Sequence, residues 1–235
     1  MNETSGNLNT DFLKLIGIIT MVIDHFGKVF YEDNIWFQLI GRITFPIFAY
    51  CLVIGFLRTK DLSRYFLRLF TFSVISQPIY TWLFGYPWSD LNIFFTLILG
   101  LFSIHGIRSK QWVLVAIAHL VPIFLKIDYG VAGIVLIDLI YVFRKSRTWS
   151  IIWLIVLFVS QLFINITEIL QHLMLHQELV IEPNPSLNVF GLLSIPLLYI
   201  HINLRITVKR SVFYVFYPLH LFVLLIMKNL YNLLS

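Results

Sequence analysis

Ionisable residues are scarce in this chain: Asp, Glu, Lys and Arg make up 12% of its 235 residues, about half the share of a soluble domain. Cysteine is scarcer still. Cys51 stands alone, which excludes an intrachain disulfide and a thiol-rich metal site. No internal repeat or low-complexity tract divides the sequence, so residues 1–235 are expected to form a single domain. The formal charge is +5, but no soluble basic domain is present on which nucleic acid would find a patch. Nucleic acid is therefore not expected as a partner.

Apolar surface is what the chain has in excess. Hydrophobic residues reach 59%, aromatics 17% and mean hydropathy +0.85, more than a soluble core requires. A membrane crossing takes roughly 17–25 apolar residues, and long apolar runs fall at 12–30, 38–57, 65–84, 91–107, 112–125, 129–143, 149–165, 189–204 and 212–231. The expected fold is all-α, a polytopic transmembrane bundle of about nine spans. The runs at 112, 129 and 189 are short, which suits tilt or a re-entrant pair. The first run lacks a small-residue cleavage site and reads as a retained helix.

The distribution of cations supports alternating loops. Lys14; Arg58, Lys60, Arg64 and Arg68; Arg108 and Lys110; Arg144, Lys145 and Arg147; and Arg205, Lys209 and Arg210 fall on one side. Loops 31–37, 85–90 and 166–188 hold no Lys or Arg, leaving Arg42, Lys28, Lys126 and Lys228 towards that face. The expected location is a membrane crossed several times, with membrane lipid as surroundings, the N-terminus cytoplasmic and the C-terminus external. The stretch 167–188 carries Glu168, His172, His176, Glu178 and Glu182. Its two histidines have the i, i+4 spacing of metal ligands, but the segment reads better as amphipathic and surface-lying, and no metal is expected.

Ionisable groups within spans are costly and mark functional sites. Asp24, His25, Arg42, Gln77, Asn92, Asp128 and His220 fall within a narrow depth range, as around one pocket between helices. Asn92 and Asp128 also suit helix N-caps, and His220 also suits a bond to a backbone carbonyl. His25 is the candidate general base, with Asp24 or His220 orienting it and Arg42 or Gln77 stabilising an oxyanion.

The run Leu13-Lys14 followed by Thr20-Met21-Val22-Ile23-Asp24-His25-Phe26-Gly27 resembles the opening of the TraX family. So do Gly41-Arg42-Ile43-Thr44-Phe45-Pro46-Ile47-Phe48-Ala49, Arg64-Tyr65 with Arg68-Leu69, Asn92 through Phe95-Thr96 to Gly100, Asp128-Tyr129-Gly130, and Phe216-Tyr217-Pro218-Leu219-His220. The resemblance implies an acyltransferase-like membrane enzyme that acetylates an exported acceptor, such as a pilin or peptide amino terminus or a surface glycan, with acetyl-CoA as donor. Arg58, Arg64 and Arg68 are then candidates for holding the donor's phosphates, and equally suit ordinary positive-inside topology. Two other readings stand beside it: a proton-coupled transporter using Asp24, His25, Arg42 and Asp128 as a relay, and a non-catalytic assembly factor for surface appendages.

Overall fold

The computed structural model describes residues 4–175, 185–200 and 206–234, with 163–175, 185–186 and 210 described by backbone alone. These residues form α1 (Thr10–Phe30), α2 (Ile35–Gly41), α3 (Thr44–Arg58), α4 (Leu62–Phe84), α5 (Ile93–Ser109), α6 (Trp112–Phe124), α7 (Gly130–Val142), α8 (Arg147–Leu175), a 3-10 helix (Pro185–Ser194) continued by α9 (Ile195–Tyr199), and α10 (Arg210–Leu234). The expected all-α class is observed. Among the described residues the only extended pairing is a single parallel bridge, Leu91 to Ile127.

Local chemistry sets the helix ends. Asn9, Asp61 and Asn92 cap α1, α4 and α5 by accepting from the N–H groups of Phe12, Arg64 and Phe94, which satisfies otherwise free donors. Gly85 ends α4 at φ 70°, a left-handed turn that glycine enters without steric cost.

α3 is the hub: Phe45, Ile47, Ala49, Tyr50, Val53, Ile54 and Phe56 are buried on it, against α1, α5, α7 and the 3-10 helix. The periphery is apolar as well. Phe124 is 81% exposed, Val113 71% and Trp82 63%, and the exposed apolar side chains run over several helices. A soluble monomer seldom exposes contiguous apolar patches beyond a few hundred Å², so this surface is that of a membrane-associated protein.

The helices differ from the nine expected spans in four respects. Among the described residues only Ile35–Arg58 and Ser211–Leu234 are both long and apolar enough to cross a membrane. The runs at 112 and 129 are short, as expected: α6 and α7, 13 residues each, are roughly 20 Å long against a hydrocarbon core of about 30 Å. Ile35–Arg58, which covers the expected span 38–57, carries a turn at Arg42–Ile43 between α2 and α3, because Pro46 has no N–H to give the Arg42 carbonyl and its ring crowds that carbonyl. α8 passes 165 and reaches Leu175, since the sequence holds neither Gly nor Pro until Pro183. Of the acidic, histidine-containing stretch, the side chains of Glu168 and His172 and all of His176, Glu178 and Glu182 lie outside the described residues, as does Arg205.

Of the expected span 189–204, residues 189–194 are 3-10 helix and 195–199 α-helix, while 201–204 lie outside the described residues. Pro196 leaves the Leu192 carbonyl without its α-helical donor, and Gly191 lies so close to α8 that a Cβ there would stand 2.4 Å from Phe158 Cε1. The steeper 3-10 rise, about 2.0 Å per residue, lets this short leg traverse the bundle. It is tied at one end by Arg42 Nη1 donating to Asn188 Oδ1 at 3.0 Å, and at the other by Asn7 N–H donating to the Leu198 carbonyl at 2.7 Å.

The α5–α7 contact gives a stability test. A Cβ at Gly100 would lie 2.2 Å from Ile137 Cδ1, a fully buried side chain. Gly100→Ala should cost about 1–3 kcal/mol of thermal stability in detergent. Adding Ile137→Val, which deletes the clashing methyl, should recover most of the loss.

Candidate functional site

A cavity of about 380 Å³ lies between α1, α3, α4, α5 and α10. Asp24, His25, Lys28, Arg42, Asp128 and Tyr129 line one end, and Lys14, Arg58 and Arg68 the other. Phe45, Leu52, Phe94, Leu97 and Tyr217 line the stretch between. Lys14 and His25 are three turns apart on α1, roughly 16 Å, so the cavity runs along much of the bundle height.

α1 places Asp24, His25 and Lys28 on neighbouring turns. Lys28 Nζ donates to Asp24 Oδ2 at 2.6 Å, while Asp24 Oδ1 is buried with no hydrogen-bond partner among the described residues. The carboxylate fits because residue 41 is glycine: a Cβ at Gly41 would stand 2.3 Å from Asp24 Oδ1. Arg42, held by Asn188, likewise has a buried Nε without a partner among the described residues.

The central contact joins α1 to α10. His25 Nδ1 lies 2.8 Å from His220 Nε2, with ring centroids 5.1 Å apart and planes 9° apart. Such a short nitrogen contact at that centroid distance requires the rings to lie edge to edge, nearly in one plane. The proton positions of the uncharged pair follow by elimination. His220 Nδ1 is 2.9 Å from the Phe216 carbonyl, which can only accept, so His220 Nδ1 carries hydrogen and its Nε2 is an acceptor. His25 Nδ1 therefore donates, and His25 Nε2 keeps a lone pair. Asp24 Oδ2 stands 4.0 Å from that nitrogen.

Asp128 is exposed at the cavity end, on a segment bound to the start of α5 through Leu91 N–H to the Lys126 carbonyl at 2.9 Å and Asp128 N–H to the Leu91 carbonyl at 3.0 Å. Thr96 donates to the Asp128 carbonyl. Tyr129 and Gly130 follow at φ 61° and 46°. A non-glycine residue there is costly, by about 1–2 kcal/mol, and Tyr129 stacks on Phe45 with centroids 4.1 Å apart.

Six of the ten sequence candidates thus line one cavity: Asp24, His25, Arg42, Asp128, Arg58 and Arg68. His220 lies behind His25 and reaches the cavity through it. Gln77 and Asn92 are taken up by one another: Gln77 donates to the Asp90 carbonyl at 2.7 Å, and Asn92 donates to Gln77 Oε1 at 2.8 Å and to the Ser73 carbonyl at 2.9 Å. Arg64 is turned outward to Asp61 at 2.9 Å. Sequence reasoning missed Lys28 as Asp24's partner, although their i, i+4 spacing signals it. It also missed Tyr129 and Tyr217 in the wall. A separate cluster had a signal too, a charge within an apolar run: Asp138 Oδ2 accepts from Ser103 Oγ at 2.8 Å and lies 3.3 Å from His119 Nε2.

An apolar exterior around an internal cavity with ion pairs and a histidine pair defines a membrane-associated helical protein with a candidate active site inside its bundle. Comparison with known families narrows this. The chain belongs to the TraX protein family, which it matches over residues 9–228. It is 28% identical over 244 residues to the probable fimbrial assembly protein FimC, serogroup H1, of Dichelobacter nodosus, covering 91% of this chain and 94% of that one. It is 26% identical over 136 residues to protein TraX of Escherichia coli, covering 56% of this chain and 54% of that protein, about half its length. No solved structure matches the chain.

The proton assignment is open to direct measurement. Nitrogen NMR of labelled histidine at a pH where both rings are uncharged should find His220 and His25 each protonated at Nδ1. His220→Gln should shift the His25 signals. Protonation of His25 at Nε2 would reverse the assignment.

Proposed function

We propose that this TraX-family protein is a multi-pass acetyltransferase of the bacterial cytoplasmic membrane, moving an acetyl group from cytosolic acetyl-CoA to an amine or hydroxyl presented on the external side. A pilin or peptide amino terminus, or a surface glycan, has that chemistry. Two relatives bear on the setting, one named for fimbrial assembly and one named TraX. The observation that carries the reading is the single cavity with cations at one end and a base at the other. The basic side, by charge alternation, faces the cytosol. There Lys14, Arg58 and Arg68 suit phosphate binding, with Arg68 held over the rings of Tyr65 and Tyr214 at 5.6 and 5.9 Å.

At the other end His25 Nε2 takes the proton as the acceptor's nitrogen or oxygen attacks the thioester carbonyl. Asp24 steadies the imidazolium, and His220 holds its orientation. Arg42, with Nε free of a partner among the described residues, stabilises the oxyanion. As the carbonyl reforms, the carbon–sulfur bond breaks, and the proton passes to the thiolate, giving CoA and the acetylated acceptor.

Transfer from labelled acetyl-CoA by the purified protein tests this. His25→Gln should lose about 10²–10⁴-fold in rate with insertion and thermal stability retained, and His220→Gln, which can still accept from His25 Nδ1, should lose less. Near-wild-type transfer by His25→Gln would remove His25 as base, and solute flux in liposomes without any acetyl-CoA dependence would replace the enzyme with a transporter.

The donor site has its own signature. Arg58→Gln and Arg68→Gln should raise KM for acetyl-CoA while leaving the acceptor's KM unchanged, and Arg64→Gln, outside the cavity, should do neither. Equal weakening for both substrates would assign these arginines to topology.

A further inference from the structure

The basic end of the bundle holds a second cavity, of about 540 Å³, where α3, α5 and α7 end. It is separate from the one that carries the candidate chemistry. Its wall includes Arg108, Arg144 and Lys145 and no carboxylate. Among the described residues none of these three forms an ion pair, whereas Lys14, Lys28, Arg64 and Lys126 all do. Two are also held in place. The Arg144 guanidinium lies 4.2 Å from the Tyr141 ring centroid and donates to the Tyr141 carbonyl at 2.6 Å, and Arg108 lies 5.5 Å from the Phe56 centroid. Arg144 Nε is buried and has no hydrogen-bond partner among the described residues.

Three helix C-termini meet here, each worth roughly half a negative charge. Together they offset only about half of three full cations, so the cavity stays positive and suits an anion. Arginine forks pre-oriented on aromatic faces match phosphate oxygens in particular. A nucleotide fits poorly, because the one aromatic ring among the described residues of the wall, Tyr141, is buried and already has Arg144 against it. The apolar part of the wall, Leu57 and the half-exposed Val142, favours a phosphate that arrives with a hydrocarbon chain. We propose that this cavity binds the phosphate headgroup of an anionic phospholipid, with an acyl chain along the Val142 side. The site stands independently of the acetyltransferase reading.

Native mass spectrometry of the detergent-purified protein, titrated with phosphatidylglycerol or phosphatidylcholine of identical chains, tests it. The wild type should retain phosphatidylglycerol preferentially. Arg108→Gln, Arg144→Gln and Lys145→Gln should each weaken that binding roughly fivefold without affecting phosphatidylcholine. Lys145 is exposed, so Lys145→Gln preserves the fold and isolates the charge. Lys110→Gln, at the same end but outside the cavity, should leave binding unchanged. Absence of a preference in the wild type, its persistence in the triple Gln variant, or an equal loss with Lys110→Gln would each overturn the proposal. Displacement of the lipid by inorganic pyrophosphate at matched concentration would assign the site to a soluble anion and overturn the lipid source.

Discussion

An exterior of apolar side chains obliges every polar group to find its partner within the bundle, because hydrocarbon surroundings offer no hydrogen bonds. The internal polar contacts follow from that constraint. Asp24 is neutralised by Lys28, Asp138 Oδ2 accepts from Ser103 and faces His119, and Gln77, Asn92, Asp90 and Ser73 close on one another. Four buried side-chain atoms have no partner among the described residues, Asp24 Oδ1, Arg42 Nε, Asp138 Oδ1 and Arg144 Nε, and the first two belong to residues at the cavity end. Unsatisfied polar atoms carry a cost, and here two of them sit in the wall around the space in which the proposed reaction occurs.

The histidine pair gives that space a direction. A carbonyl of α10 sets the tautomer of His220, which sets that of His25 and leaves one basic nitrogen towards Asp24. In the proposed reaction, a proton taken there has a path to His220 through the 2.8 Å contact. The backbone supports the same arrangement by close approach, with glycine at 41 admitting the Asp24 carboxylate and left-handed turns at Tyr129 and Gly130 bringing the tyrosine against Phe45.

Much of the helical pattern was legible because apolar runs between polar breaks are long-range averages that local packing rarely overturns. Asp24, His25, Arg42 and Asp128 were legible for a related reason: a charge within such a run is expensive enough to be conspicuous. Asn92 was correctly open to reading as a cap, and the cap is what it forms. The 3-10 leg was not legible. An apolar run around 189–204 fits a helix of either kind, and the 3-10 turns over Pro185–Ser194 go with close packing of Gly191 against Phe158 on α8.

The sequence by itself determined that this is an all-helical chain with an apolar exterior, and which polar residues needed an explanation, since composition and spacing along one strand of chain suffice for both. Only the tertiary structure decided how those residues divide. His25 and His220, 195 positions apart, meet because α1 packs on α10. Gln77 and Asn92 are consumed by each other, and Arg64 turns outward while Lys14 turns in. A hydrogen bond depends on tenths of an ångström between atoms of different helices, and no periodicity within a single helix encodes that distance.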